Sequence, residues 1–180
     1  MKKILLIALL LLSFNGLAQI FTYDNDKGIN RTLPPQESDQ TEDVKVNEKN
    51  IIKVYVNRDN MIMVNGKTCD IADLTKTVKK HITPTPNDAN APETTTKNID
   101  LLGDITVSKA IVSLRNDKQT SYETYIAVQS ALAKAYNELR DEMSMKYFKK
   151  HYSNLSEKEA QAIDKAVPIC ISEAEPEEVK

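Results

Sequence analysis

Apolar residues become dense at Ile51. Ile51, Ile52, Val54, Tyr55 and Val56 form one run, Asn57-Arg58-Asp59-Asn60 a polar break, and Met61 to Val64 a second run closed by Asn65-Gly66. β-Branched and aromatic side chains suit a pleated surface and Asn/Gly pairs suit tight turns, so this segment predicts a hairpin. From Asp70 the period becomes that of a helix. Asp70 stands at an N-cap position with Asp73 three residues on, ahead of Ile71, Leu74, Val78 and Ile82, and the stripe stops before Pro84. His81 lies beside that stripe, with no second ligand or nucleophile near it in sequence, and reads as structural. Thr83 to Gly103 carries Pro84, Pro86, Pro92 and Glu93-Thr94-Thr95-Thr96. A segment so polar has little apolar area to set against its ordering entropy, and it reads as a long disordered loop.

Ile105 to Arg115, with Val107, Ile111, Val112 and Leu114 as its apolar content, predicts a single strand. Its alternation is only partial, which places it inside a sheet rather than at the edge. Thr120 or Ser121 caps the helix that follows, whose stripe is Tyr125, Val128, Leu132, Ala135, Leu139 and Met143. Carried on to Phe148, this helix is roughly 40 Å long at 1.5 Å per residue. It overhangs strands of about 17–20 Å, so Met145, Tyr147, Phe148 and Tyr152 need another surface to cover them. Leu155-Ser156-Glu157-Lys158-Glu159 supplies one: a capping box with Leu155 as its staple, opening a short helix whose inner face is Ala160, Ile163 and Val167 and which Pro168 ends. Ile169, Cys170 and Ile171 make a short last strand before an acidic tail. The order is β-β-α-β-α-(α)-β and the class α+β, a small mixed sheet covered on one face by helices.

The front of the chain is built differently. Lys2 and Lys3 precede the apolar run Ile4 to Leu12, and Gly16-Leu17-Ala18 places small residues where a signal peptidase cuts. Residues 1–19 therefore read as a signal peptide, with a short membrane anchor over residues 4–21 as the alternative. Residues 20–50, polar and carrying Pro34-Pro35, read as a flexible linker, 51–176 as the folded domain and 177–180 as its tail. Export makes a disulfide between Cys69 and Cys170 one reading of the two cysteines, worth about 4 kcal/mol in the loop-entropy model. Two unpaired thiols is the other.

A net charge of -2 and 6% aromatic residues leave no basic, stacking surface for nucleic acid. No catalytic constellation is visible either. The histidines are His81 and His151, no Ser sits in a Gly-x-Ser-x-Gly elbow, and the cysteines lack metal-ligand spacing. The residues call for no enzyme, cofactor or metal.

Leu114-Arg115-Asn116-Asp117, Thr120-Ser121-Tyr122, Ala135 to Glu142 (AYNELRDE) and Ile171 to Pro176 (ISEAEP) resemble the periplasmic domain of ExbD/TolR-type biopolymer transport proteins, in a branch with a longer helix and C-terminal extension. Gly28 to Pro35 (GINRTLPP) resembles the Leu-Pro linker that follows the family's membrane helix. The resemblance implies a subunit of the proton-driven motor that energises outer-membrane transport. Such a subunit is a homodimer, works with an ExbB-like membrane subunit, and has periplasmic domains that meet a TonB-like protein or the cell wall. It further implies a periplasmic or inner-membrane-associated location facing the periplasm. One departure stands at the front: the family's membrane helix carries a proton-accepting aspartate, and Ile4 to Phe21 has no acidic residue. Proton uptake is therefore assigned to no residue. Candidate partner-binding residues are Arg115, Asp117 and Tyr122 at the strand-to-helix turn and Tyr136, Asn137 and Arg140 on the long helix. An unrelated exported structural domain is the remaining reading.

Overall fold

The computed structural model describes residues 46–85 and 88–174. The leader, the linker up to residue 45 and the tail at 177–180 lie outside the described residues. The strands are β1 (Ile51–Val56), β2 (Ile62–Val64), β3 (Lys67–Thr68), β4 (Thr94–Ile99), β5 (Gly103–Ser108), β6 (Ile111–Asn116) and β7 (Ile171–Glu173). The helices are α1 (Ile71–Ile82), α2 (Tyr122–Phe148) and α3 (Glu157–Ala166). Five strands form one sheet in the order β3-β2-β1-β6-β7, and β4 pairs with β5 in a second, two-stranded sheet. β1 is antiparallel to β2 but parallel to β6, and β6 is parallel to β7, so the main sheet is mixed as predicted.

The predicted β1–β2 hairpin forms. Its turn is held by the Asn57 side chain, whose Oδ1 accepts from Asp59 N and Met61 N. Asn65 and Gly66 both take positive φ, the pair that a type I′ turn requires, and lead into β3, a strand too short and polar to read from sequence. One face of the main sheet is apolar and buried through Ile52, Val54 and Val56 of β1, Ile62 and Val64 of β2, and Val112 and Leu114 of β6. These residues share one core with Leu74, Val78 and Ile82 of α1 and Val128, Leu132, Ala135 and Leu139 of α2. Ile71, counted in the α1 stripe, is exposed at the first turn.

Two expectations are corrected. The segment read as a disordered loop contains all of β4, and the single strand from Ile105 to Arg115 is two strands in different sheets. In β5 the buried residues are Ile105 and Val107, at odd positions; in β6 they are Val112 and Leu114, at even ones. A strand cannot change phase without turning over, and the change falls at Lys109-Ala110, between the two strands. β4 was missed because its Thr-rich run buries only Ile99 within the strand. The position of β6 inside the sheet, between β1 and β7, is as predicted.

Helix α2 runs unbroken to Phe148, from an N-cap at Ser121 whose Oγ accepts from Thr124 N. It ends where Lys149 enters the left-handed region (φ 56°), and the buried Ser144 Oγ donates to Lys150 O at 2.6 Å. Of the overhanging side chains, Phe148 and Tyr152 pack on the core, while Met145 and Tyr147 stay exposed. The capping box at α3 forms: Ser156 N and Oγ both donate to a Glu159 carboxylate oxygen at 2.8 Å. Of the predicted inner face of α3, Ile163 and Val167 are buried as expected and Ala160 only partly, while Ala162 and Ala166 complete the buried face. The last strand begins two residues later than predicted, at Ile171.

Leu132→Ala removes a fully buried side chain between helix and sheet and is expected to lower the unfolding free energy by about 2–5 kcal/mol in urea titrations. Ser156→Ala, which removes one half of the capping box, is expected to cost about 1 kcal/mol. The same box gives an acid dependence. Backbone and hydroxyl donors of Ser156 and the Lys150 ammonium hold the Glu159 carboxyl at about 2, below its ordinary 4.5. Its contribution is complete above 4.5 and is lost as pH falls through about 2. Thermal melts should show a decline across that window that is smaller in Ser156→Ala.

Candidate partner-binding surface

The candidate residues divide into two groups along α2. Fifteen residues separate Tyr122 from Asn137, about 22 Å of helix, so Arg115, Asp117 and Tyr122 cannot share one contact with Asn137 and Arg140. In the first group Asp117 is buried, and its carboxylate accepts from Gln119 N at 2.9 Å within the β6–α2 turn. That turn is joined to the β1–β2 turn: Asp117 N donates to Val56 O, Thr120 Oγ1 to Val56 O and Asn57 O, and Ser121 N to Asn60 Oδ1. Asp117 is therefore engaged within the turn. Arg115 is exposed on the sheet face away from the helices, paired in register with Tyr55. Tyr122 is 78% exposed at the first position of α2.

In the second group Tyr136 is 2% exposed and belongs to the core. Its hydroxyl donates to Cys170 O at 3.2 Å and accepts from Cys170 N at 3.3 Å, and burial pushes its pKa well up. Arg140 is likewise engaged internally. Nε and Nη2 donate to Val167 O at 3.1 and 3.0 Å, Nη1 pairs with Asp164 at 3.0 Å, and the guanidinium stacks over Tyr152. Asn137 is exposed and lines an open cleft of about 520 Å³ with Lys79, Glu138, Asp141, Glu142 and His151 among others. The charges there are matched inside the molecule. Lys79 bridges Glu138 and Glu142 at 3.1 and 2.7 Å, and Asp141 pairs with His151 at 3.0 Å while accepting from Tyr152 N. Those donors hold the Asp141 carboxyl below its usual range.

His81 is half-buried, with Nε2 3.3 Å from Asn50 O and its pKa lowered by burial. The two cysteines are free thiols. Cys69 N donates to Ile62 O on the β3 side of β2, whereas Cys170 O accepts from Val112 N on the β7 side of β6. These lines are four strand spacings apart, about 19 Å at 4.8 Å each, and a disulfide needs Cα atoms within about 7 Å. The bridge left open by the sequence does not form within one chain. Burial raises the pKa of both thiols.

The pattern reading missed Gln129 and Glu173. Gln129 is 2% exposed on α2, and its Nε2 donates to Glu173 Oε1 at 2.6 Å; Tyr125 Oη donates to Glu173 Oε2 at 3.2 Å. Both were within reach of the sequence. Tyr125 and Gln129 stand one turn apart on α2, and Glu173 keeps the phase of Ile171.

Tyr136→Phe leaves Cys170 N and O short of a partner and is expected to cost about 1–3 kcal/mol, with faster hydrogen exchange of β7 amides than of β1. Thiol titration of the unfolded, air-exposed monomer should return two free thiols per chain, and mobility of the monomer should be the same with and without reductant.

A family model described as "Biopolymer transport protein ExbD/TolR" matches residues 5–140, more than half of the chain. No curated protein matches the chain. The matched span includes the sheet through β6 and α2 as far as Arg140, and leaves α3 and β7 beyond it. Over that span the chain belongs to the ExbD/TolR family of biopolymer transport proteins.

Proposed function

We propose that this protein is a non-enzymatic component or accessory of a TonB-dependent transport energising system, facing the periplasm and acting through protein–protein contacts. Family membership supports the transport role. The observation that carries the mode of action is the edge strand β7. Among the described residues it is paired only with β6, and an open edge accepts an extended segment through backbone hydrogen bonds. The exposed outer end of α2 flanks a second contact region. In this reading the chain forms a homodimer and meets a TonB-like protein, an ExbB-like membrane subunit and, through its periplasmic face, the cell wall.

The apolar segment at residues 4–21 is a cleaved signal in the accessory form and a retained helix in a motor-subunit form. The family match begins at residue 5, inside that segment. No described helix is long and apolar enough to cross a membrane. The mature N-terminus separates the two forms: Gln19 or Ile20 for the accessory, Met1 in membrane fractions for the anchored subunit.

Size-exclusion chromatography with light scattering is expected to give a dimer, and a monomer at every concentration would sink the dimeric reading. Affinity purification from native membranes is expected to retain TonB-like and ExbB-like proteins. Their absence after crosslinking would count against the transport assembly.

A further inference from the structure

Strand β1 has the sequence of a strand covered on both faces, and one of its faces is open. Its run Ile-Ile-Lys-Val-Tyr-Val is apolar except at Lys53. β6 runs parallel to it and β7 parallel to β6. Parallel strands are normally packed on both faces, and their sequences then read as near-continuous apolar runs. Ile52, Val54 and Val56 meet that expectation on the helix side. Ile51, Lys53 and Tyr55 point the other way, with Ile111 in register beside Ile51 and Met63 beside Tyr55. None of these side chains is buried.

The charge of this outer face has one sign. Its ionic residues are Lys53, on the central strand, and Arg115, which also interacts within the chain. The outward positions of β2, β3 and β7 are Met63, Thr68 and Ser172, so no strand of the sheet presents a carboxylate there. The backbone of Lys53 is bonded to Asn65 in both directions, while its ammonium enters no ion pair or hydrogen bond among the described residues. That ammonium stands between Ile51 and Tyr55 on its own strand and beside Ser113 on β6. Two copies stacked through this face bring Lys53 and Arg115 against their own kind with no acid to meet them. The face is therefore not complementary to itself, and it matches a carboxylate set among apolar side chains.

We infer that the outer face of the main sheet docks an amphipathic helix of another protein that carries an Asp or Glu within its apolar stripe, placed on the Lys53 ammonium. Helices are the elements that cover parallel strands. A six-residue strand is about 20 Å long at 3.3 Å per residue, which a helix of about 13 residues spans. The five strands make a face roughly 19 Å wide, so each partner buries about half of the ~800 Å² typical of a stable interface. The contact is therefore a weak, reversible one. It is separate from the β7 edge, which lies in the plane of the sheet rather than on its face.

The test titrates the full chain with capped Leu/Ala helical peptides of about 14 residues whose apolar stripe has Glu, Gln or Lys at its centre, followed by amide chemical shifts. The Glu peptide is expected to shift the amides of residues 51–55 and 111–115 and, at low salt, to bind about fivefold more tightly than the Gln peptide. The Lys peptide should bind more weakly than either, and the margins should shrink as salt is raised. Lys53→Gln alters an exposed side chain and should bring the Glu-to-Gln ratio toward one while the Gln peptide still binds. Tyr55→Ser should weaken both peptides. Equal binding of the Glu and Gln peptides would overturn the inference. Shifts confined to residues 171–174 would also overturn it and leave the β7 edge standing. Shifts at residues 51–55 that grow with protein concentration alone would assign the face to a second copy of the chain and overturn it as well.

Discussion

The parallel pairing of β1 with β6, in register from Ile51 with Ile111 to Val56 with Asn116, is the constraint on which the rest of the structure depends. Parallel neighbours cannot be joined by a tight turn, so the chain between them must leave the sheet and come back. It does so by adding β2 and β3 on the far side of β1, packing α1 into the shared core, and forming β4 and β5 as a separate hairpin. At their C-terminal ends the paired strands enter turns that are bonded to each other through Asp117, Thr120, Ser121 and Asn60. The start of α2 is therefore positioned by β1, a strand more than sixty residues earlier in the chain.

Once α2 is placed, the C-terminal residues have little freedom. The phenol of Tyr136 is out of water and must find partners within the protein; the backbone of Cys170 supplies both a donor and an acceptor. One turn on, Arg140 places two N–H groups on Val167 O and a third on Asp164. These contacts secure the end of α3 and the start of β7, so the chain returns beside β6. A three-residue strand at a sheet edge has few ladder bonds of its own, each worth about 0.5–1.5 kcal/mol net. Its position rests as much on the helix as on the sheet.

Elements whose stabilising pattern is local were legible in the sequence. The β1–β2 hairpin, α1, the full length of α2 and the capping box of α3 all depend on residues within a few turns of one another. The β4–β5 hairpin was not legible as a whole, because Thr94 to Lys97 gain stability only from pairing with residues 105–108. The phase reversal at Lys109-Ala110 was present in the sequence as a signal. The site was harder. The six-residue stripe drawn on α2 was too narrow: a core-facing stripe spans 100° or more, and widening it by one position includes Gln129 and Tyr136, which stand three and four residues from Leu132. Tyr136 would then have been read as core. The separation of Cys69 from Cys170 in space depends on strand order, which no spacing in the sequence reveals.

The widened stripe also shows how this helix is tied to the last strand. Tyr125, Gln129 and Tyr136 all direct polar atoms toward the β7 segment, and a substitution at any of them disturbs the same edge. They differ in what is left over. Tyr136 exchanges its donor and acceptor with Cys170 inside one chain, so its interactions are complete without a partner. Gln129 spends its donor on Glu173 and keeps an acceptor that no described residue satisfies.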